Sequence, residues 1–116
     1  MAVHMRPGQA LRLWHEVSLA LVRDGEPDLS VRQITVLITI YLEPQPHTVR
    51  ALAAKLGVTK PVITRALDTM GRYGLVTRKR DSADRRNVLV QRTVDGALFL
   101  ERLGDLVVAR AAALPS

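Results

Sequence analysis

Apolar side chains recur along this chain first at helical spacing, then briefly at strand spacing, then at helical spacing again. From Gln9 to Asp24, residues Leu11, Trp14, Ser18, Leu21 and Val22 fall three or four apart, and Gly25, Glu26 and Pro27 end the run. Ser30 with Gln33 makes a capping box for the next helix. That helix carries Val31, Ile34, Leu37, Ile38, Tyr41 and Leu42 before it meets Pro44 and Pro46. Its β-branched run (Ile34, Thr35, Val36, Ile38, Thr39, Ile40) would suit a strand, but the cap and the length favour a helix. Being apolar on most of its circumference, it is expected at the centre of the core.

Thr48 is placed to cap a third helix that runs to about Leu56, with Val49, Leu52, Ala53 and Leu56 as its inner stripe. Small residues at Ala51, Ala53 and Ala54 let another helix approach, and Gly57 supplies the positive φ of a sharp turn. The fourth helix opens at Thr59, expected as its cap, and closes at Gly74, with Pro61 in its first turn. Ile63, Ala66, Leu67 and Met70 face inward, while Pro61, Arg65, Asp68 and Arg72 point the other way with Thr64 beside them. Leu75 to Arg80 and Val88 to Thr93 then read as strands around the polar turn 81–87. Thr93 caps a last helix to about Ala113, whose apolar side holds Leu98, Phe99, Leu103, Leu106, Val107 and Leu114. The expected fold is mainly α with a small β-hairpin, a winged helix-turn-helix, in a single domain over residues 1–116. Residues 48–93 form its core and wing, and 9–27 and 94–114 its flanking helices.

Composition narrows the function classes. A hydrophobic share of 47% in 116 residues builds a real core. No apolar run approaches the roughly 20 residues of a membrane span, and the N-terminus lacks a signal peptide's pattern. With no cysteine there are no disulfides, thiolate metal sites or thiol redox sensing, which fits a cytoplasmic protein. His4, His15 and His47 are scattered without metal-ligand spacing, and His47, beside Pro46, reads as a loop residue. No glycine-rich phosphate loop or nucleophile motif is present. Neither an enzyme nor a bound cofactor is expected.

The charge sharpens this picture. The whole chain carries +6, but residues 50–92 hold eleven Lys/Arg against three acids, a net of +8. A basic centre between near-neutral flanks is the footprint of a polyanion-binding face. Helix-turn-helix recognition needs a bracing helix on the backbone, a tight turn, and a second helix that offers polar and basic side chains to base edges. Thr48 and Arg50 start the bracing helix and suit a phosphate. Thr59, Lys60, Thr64 and Arg65 lie on the leading turns of the recognition helix, and Arg72 on its outward side. Arg65 can bond a guanine's O6 and N7 together, worth about 1–3 kcal/mol of discrimination, or make a plain phosphate contact. Thr59 can cap, read a base, or both.

The hairpin carries a more specific pattern. Gly74-Leu75-Val76 with Arg78, Asp84 with Arg86, and Thr93 with Gly96 resemble the Gly-Leu-Val-x-Arg strand, Asp-x-Arg wing tip and Thr-x-x-Gly helix entry of the MarR family of winged-helix transcription regulators. Leu29 with Gln33 and Leu37, the run Val49 to Leu56, and Val62-Ile63-Thr64-Arg65 followed by Leu67-Asp68 extend the resemblance over roughly residues 28–100. It implies a sequence-specific regulator of transcription, by family habit a repressor, that binds double-stranded DNA with the recognition helix in the major groove and the wing in the minor groove. By resemblance Arg86 sits at the wing tip or base, fixed by Asp68 on the recognition helix, unless the two are independent surface charges. Lys79 and Arg85 remain for phosphates, and Asp84 holds the turn through nearby backbone N–H groups. Arg92 stands where the family is usually apolar, and a phosphate contact is one reading of it.

Family members pair through their N- and C-terminal helices, with two helices after the wing. About twenty residues follow Gly96 here, enough for one helix. That argues against the small phenolic effector that many members bind beside those helices. Trp14, Leu21, Phe99, Leu103 and Leu106 still offer more apolar surface than one small lobe covers, so a homodimer on a near-palindromic site is expected, with half-sites roughly 10 bp apart. The alternative is that they fill an intramolecular core. A second reading of the whole chain, a winged-helix protein-interaction module in a larger assembly, expects an apolar recognition face, against which Lys60, Arg65, Arg72 and Arg86 count.

Overall fold

Capping chemistry and the apolar periods set the order of elements in the computed structural model, which describes residues 3–115. Five helices, α1 (Pro7–Arg23), α2 (Val31–Leu42), α3 (Val49–Leu56), α4 (Lys60–Arg72) and α5 (Val94–Ala112), alternate with three strands, β1 (His47–Thr48), β2 (Val76–Arg80) and β3 (Val88–Arg92). The chain divides into two compact units: one takes in the chain to Asp28 together with the part from Glu101 onward, the other is Leu29–Leu100.

In the Leu29–Leu100 unit the Ser30–Gln33 box closes in both directions. Ser30 Oγ accepts from Gln33 N at 3.1 Å, and Gln33 Oε1 accepts from Ser30 N at 2.8 Å. The β-branched run of α2 is helical because Thr35 and Thr39 turn their hydroxyls back to the Val31 and Thr35 carbonyls, at 2.7 Å each. Val36, Leu37 and Ile40 are completely buried. Around them pack Leu52 and Ala53 of α3, Ile63, Leu67 and Met70 of α4, and Leu75, Val76 and Val90 of the β-ribbon. Each large side chain buried this way is worth about 1.5–3 kcal/mol against exposure.

Thr48 Oγ1 accepts from Ala51 N at 3.0 Å and starts α3. Gly57, at φ 69°, ends it. A left-handed residue there lets Val58 N return to the Ala53 carbonyl at 3.0 Å, which closes the turn into α4. Thr59 stands at the N-cap of α4, but its hydroxyl makes no capping bond, contrary to expectation. The reason lies in the first turn. An N-cap oxygen accepts from the second or third helical N–H; Pro61 has none, and Val62 N donates to the Thr59 carbonyl at 3.1 Å instead.

The strands form an antiparallel sheet in the order β1-β3-β2. Val76 to Arg80 pair with Arg92 to Val88, and His47 and Thr48 add a short third strand against Val90 and Leu89. His47 is therefore not a loop residue. It is buried, with Nε2 3.2 Å from the Glu43 carbonyl oxygen. Tyr41 Oη accepts from Thr93 N at 2.9 Å and lies 3.1 Å from the Leu75 carbonyl oxygen, while Thr93 Oγ1 accepts from Gly96 N at 2.9 Å and donates to the Gly74 carbonyl at 2.7 Å. These bonds join the end of α2, the α4–β2 corner, the end of β3 and the first turn of α5.

In the other unit, α1 begins at Pro7, two residues before the expected start, because Pro suits a first helical position and Gln9 Oε1 accepts from Arg6 N at 3.0 Å. Gln9 Nε2 donates to the Pro115 carbonyl at 3.1 Å. Val17 is buried there, whereas Leu11, Trp14, Val22 and Val108 are exposed.

Candidate nucleic-acid interface

The amphipathic sequence of α4 separates its two sides. Ile63, Ala66, Leu67 and Met70 are buried, while Lys60, Thr64, Arg65, Asp68 and Arg72 are exposed. Arg72 Nη2 donates to Thr69 Oγ1 at 3.3 Å along the same helix. β2 follows with Thr77, Arg78, Lys79 and Arg80 all exposed, so both elements offer cations to solvent. One bond fixes them side by side: Arg78 Nη2 donates to Asp68 Oδ1 at 2.7 Å.

The turn between the strands is held by its own side chains. Asp81 Oδ1 accepts from Ala83 N at 2.9 Å, and Asp84 Oδ1 accepts from Arg86 N at 3.1 Å. Arg86 also grips Asp84 with Nε on Oδ1 and Nη2 on Oδ2, both at 3.0 Å. Bonds from the Arg86 side chain, and then from its backbone, hold the Asp84 carboxyl below the usual carboxylate range, and the same side-chain bond raises the Arg86 guanidinium. Arg80 Nη1 donates to the Arg85 carbonyl at 3.0 Å and straps the hairpin across. The Arg85 and Lys79 side chains stay exposed.

All ten residues expected at a DNA interface lie in the Leu29–Leu100 unit: Thr48, Arg50, Thr59, Lys60, Thr64, Arg65, Arg72, Lys79, Arg85 and Arg86. Thr48 is half-buried and the other nine are exposed. A model of the "MarR family" matches residues 29–88, which make up more than half of the chain. The chain belongs to the MarR family. Across 108 residues it is 31% identical to an organic hydroperoxide resistance transcriptional regulator of Bacillus subtilis (strain 168), covering 89% of this chain and 74% of that protein. Among solved structures, it resembles a mutant of E. coli MarR complexed with operator DNA, at a TM-score of 0.70 and 27% identity, over 90% of this chain and 72% of that one. It also resembles the transcriptional repressor CouR bound to a 23-mer DNA duplex, at a TM-score of 0.71 and 28% identity, over 90% and 70% of the two chains.

Two residues have other partners than those expected. Asp68 is paired with Arg78, not with Arg86. Arg78 lies on β2 beside α4, within one side-chain length of the helix, whereas Arg86 sits in the tip next to a carboxylate two residues away. Arg92, at a usually apolar position of the family, is engaged within the fold. Its Nε donates to the Ile40 carbonyl at 2.9 Å and its Nη2 to the Glu43 carbonyl at 3.1 Å, and its guanidinium lies over the Tyr41 ring, 5.6 Å from the centroid. It satisfies carbonyls that the end of α2 leaves open. A count of charges holds no hint of this, because a cation that caps a helix and one that meets a polyanion count alike.

Proposed function

We propose that this chain regulates transcription by binding double-stranded DNA at specific sites, with α4 in the major groove and the β2–β3 wing in the adjacent minor groove. One observation carries the reading: the exposed, cationic outer side of α4 lies beside cationic β2, with the one outward carboxylate between them, Asp68, already neutralised by Arg78. A carboxylate facing a phosphate backbone would repel it unless masked. The E. coli MarR mutant complexed with operator DNA and CouR bound to a DNA duplex support the DNA-binding part of this reading. An apolar interaction module would expose hydrophobic groups where Thr64, Arg65 and Arg72 stand.

In this reading Arg65 presents its planar fork to a guanine edge. Thr64, and Thr59 with its hydroxyl free of capping duty, reach neighbouring base edges or phosphates. Arg50, Lys60, Arg72, Lys79 and Arg85 neutralise phosphates, and Thr48 offers one a hydroxyl donor. Arg86 enters the minor groove by exchanging a solvent-exposed ion pair, a weak interaction, for groove acceptors. Occupying a promoter in this way represses it. The working form is a cytoplasmic homodimer joined through α1 and α5, supported by the exposed Leu11, Trp14 and Val22 on α1 and Val108 on α5. No helix among the described residues is long and apolar enough to cross a membrane. Catalysis, a cofactor and a small-molecule effector have no part in the reading.

The test is the salt dependence of binding to a random-sequence duplex. With about five phosphates neutralised at about 0.9 each, log K against log salt should fall with a slope steeper than about −4. A slope near zero would contradict a backbone-binding interface.

A further inference from the structure

Outside the ten residues assigned above, α2 brings another cation to the same side of the molecule. A cleft of about 150 Å³ opens between the first turn of α2 and the outer flank of α4, lined by Ser30, Arg32 and Gln33 on one wall and by Val62, Arg65 and Thr69 on the other. Two arginines share this cleft and no carboxylate lines it. Arg32 is exposed and takes part in no ion pair among the described residues. Two like charges facing one small cleft repel each other, and an anion between them reverses that sign. The Arg32 wall is also rigid. The reciprocal Ser30–Gln33 bonds fix the backbone from which Arg32 projects, so only its side chain has to be ordered when it engages.

We infer that Arg32 binds a phosphodiester of the DNA strand bordering the groove that α4 enters, seated in the cleft between α2 and α4. This deepens the proposed function and rests on it. The occupant follows from position. Arg65, the residue assigned to a base edge, forms the opposite wall, so a duplex that meets Arg65 carries its backbone past Arg32. A phosphate fits the chemistry, since guanidinium groups match its oxygens in a bidentate fork. Arg65 has N–H groups to spare for that phosphate while its fork turns to the base. The effect is to anchor the strand on the flank of α4 away from the wing, so that α4 is gripped from both sides.

The experiment measures binding of the full chain to a random-sequence duplex of about 30 bp over a range of salt, for wild type, Arg32→Ala, Arg32→Lys and Arg23→Ala. Arg23 is an exposed arginine of the other unit and controls for net charge. Arg32→Ala should weaken binding several-fold and lower the salt slope by about 0.9 per site, the loss of one phosphate contact. Arg32→Lys should keep most of both, and Arg23→Ala should change neither. Thermal unfolding of Arg32→Ala should match wild type, because the side chain supports no other group. If Arg32→Ala keeps the wild-type slope, or if Arg23→Ala lowers it equally, the cleft is not a phosphate seat. If wild type shows no salt-dependent binding at all, it is the DNA-binding reading itself that fails, and the two outcomes are told apart by the wild-type curve alone.

Discussion

Gly96→Ala should lower the stability of the Leu29–Leu100 unit by about 3 kcal/mol or more, one of the largest effects of any single methyl group in this chain. A Cβ at this position would run into Tyr41 Oη and the Leu75 carbonyl oxygen. Neither can step aside. Tyr41 Oη lies 2.9 Å from Thr93 N and 3.1 Å from the Leu75 carbonyl oxygen, and the Leu75 carbonyl belongs to the backbone that turns from α4 into β2. The glycine is needed for space, not for an unusual φ: α5 starts where it does because its first turn lies against this junction. Urea unfolding of the two proteins measures the difference, which should also lower the midpoint of thermal unfolding by ~10 °C or more. A loss below about 0.5 kcal/mol would mean that the α2, β2 and α5 ends are not packed as described.

The second large effect is on DNA binding. Arg65→Glu should reduce affinity for a selected site by about 100-fold or more: a bidentate base contact is worth about 1–3 kcal/mol, and the new carboxylate then faces the phosphates. Arg65→Ala should lose only the first part and relax preference at one or two base pairs. Arg85→Ala should weaken selected and random duplexes by the same factor, since a phosphate carries no sequence. Electrophoretic titration of both duplex types with all three variants gives the comparison. Equal losses on selected and random DNA for Arg65→Ala and Arg85→Ala would remove the division between base reading and backbone binding.

Much of this fold could be read from the chain because its signals are local. A capping box at Ser30, a positive-φ glycine at position 57 and the period change after Gly74 each act within a few residues, and the helices and the β2–β3 hairpin follow them. What stayed hidden depends on distant partners. β1 is two residues long and exists only because Val90 and Leu89, more than forty positions on, supply its ladder. His47 is buried by that pairing, which no feature of its neighbours announces. The partner of Asp68 is not legible in the motif for a related reason: a family pattern names residue types, while the ion pair is decided by which side chain the β2 register sets beside α4. Arg32 lies outside the basic stretch that begins at Arg50. Only packing of α2 against α4 brings it to the cleft beside Arg65. Thr59 reads as a cap in sequence, and the structure frees it because Pro61 removes a donor the cap would need.

Dimethyl sulfate footprinting on a selected duplex reads both grooves in one experiment, since it methylates guanine N7 in the major groove and adenine N3 in the minor groove. Wild-type protein should protect guanines at the centre of each half-site and adenines in the groove beside them. Arg65→Ala should return reactivity to the guanines alone, and Arg86→Ala to the adenines alone. Protection confined to a single groove, or the same bases lost in both variants, would contradict an interface in which α4 and the wing occupy neighbouring grooves.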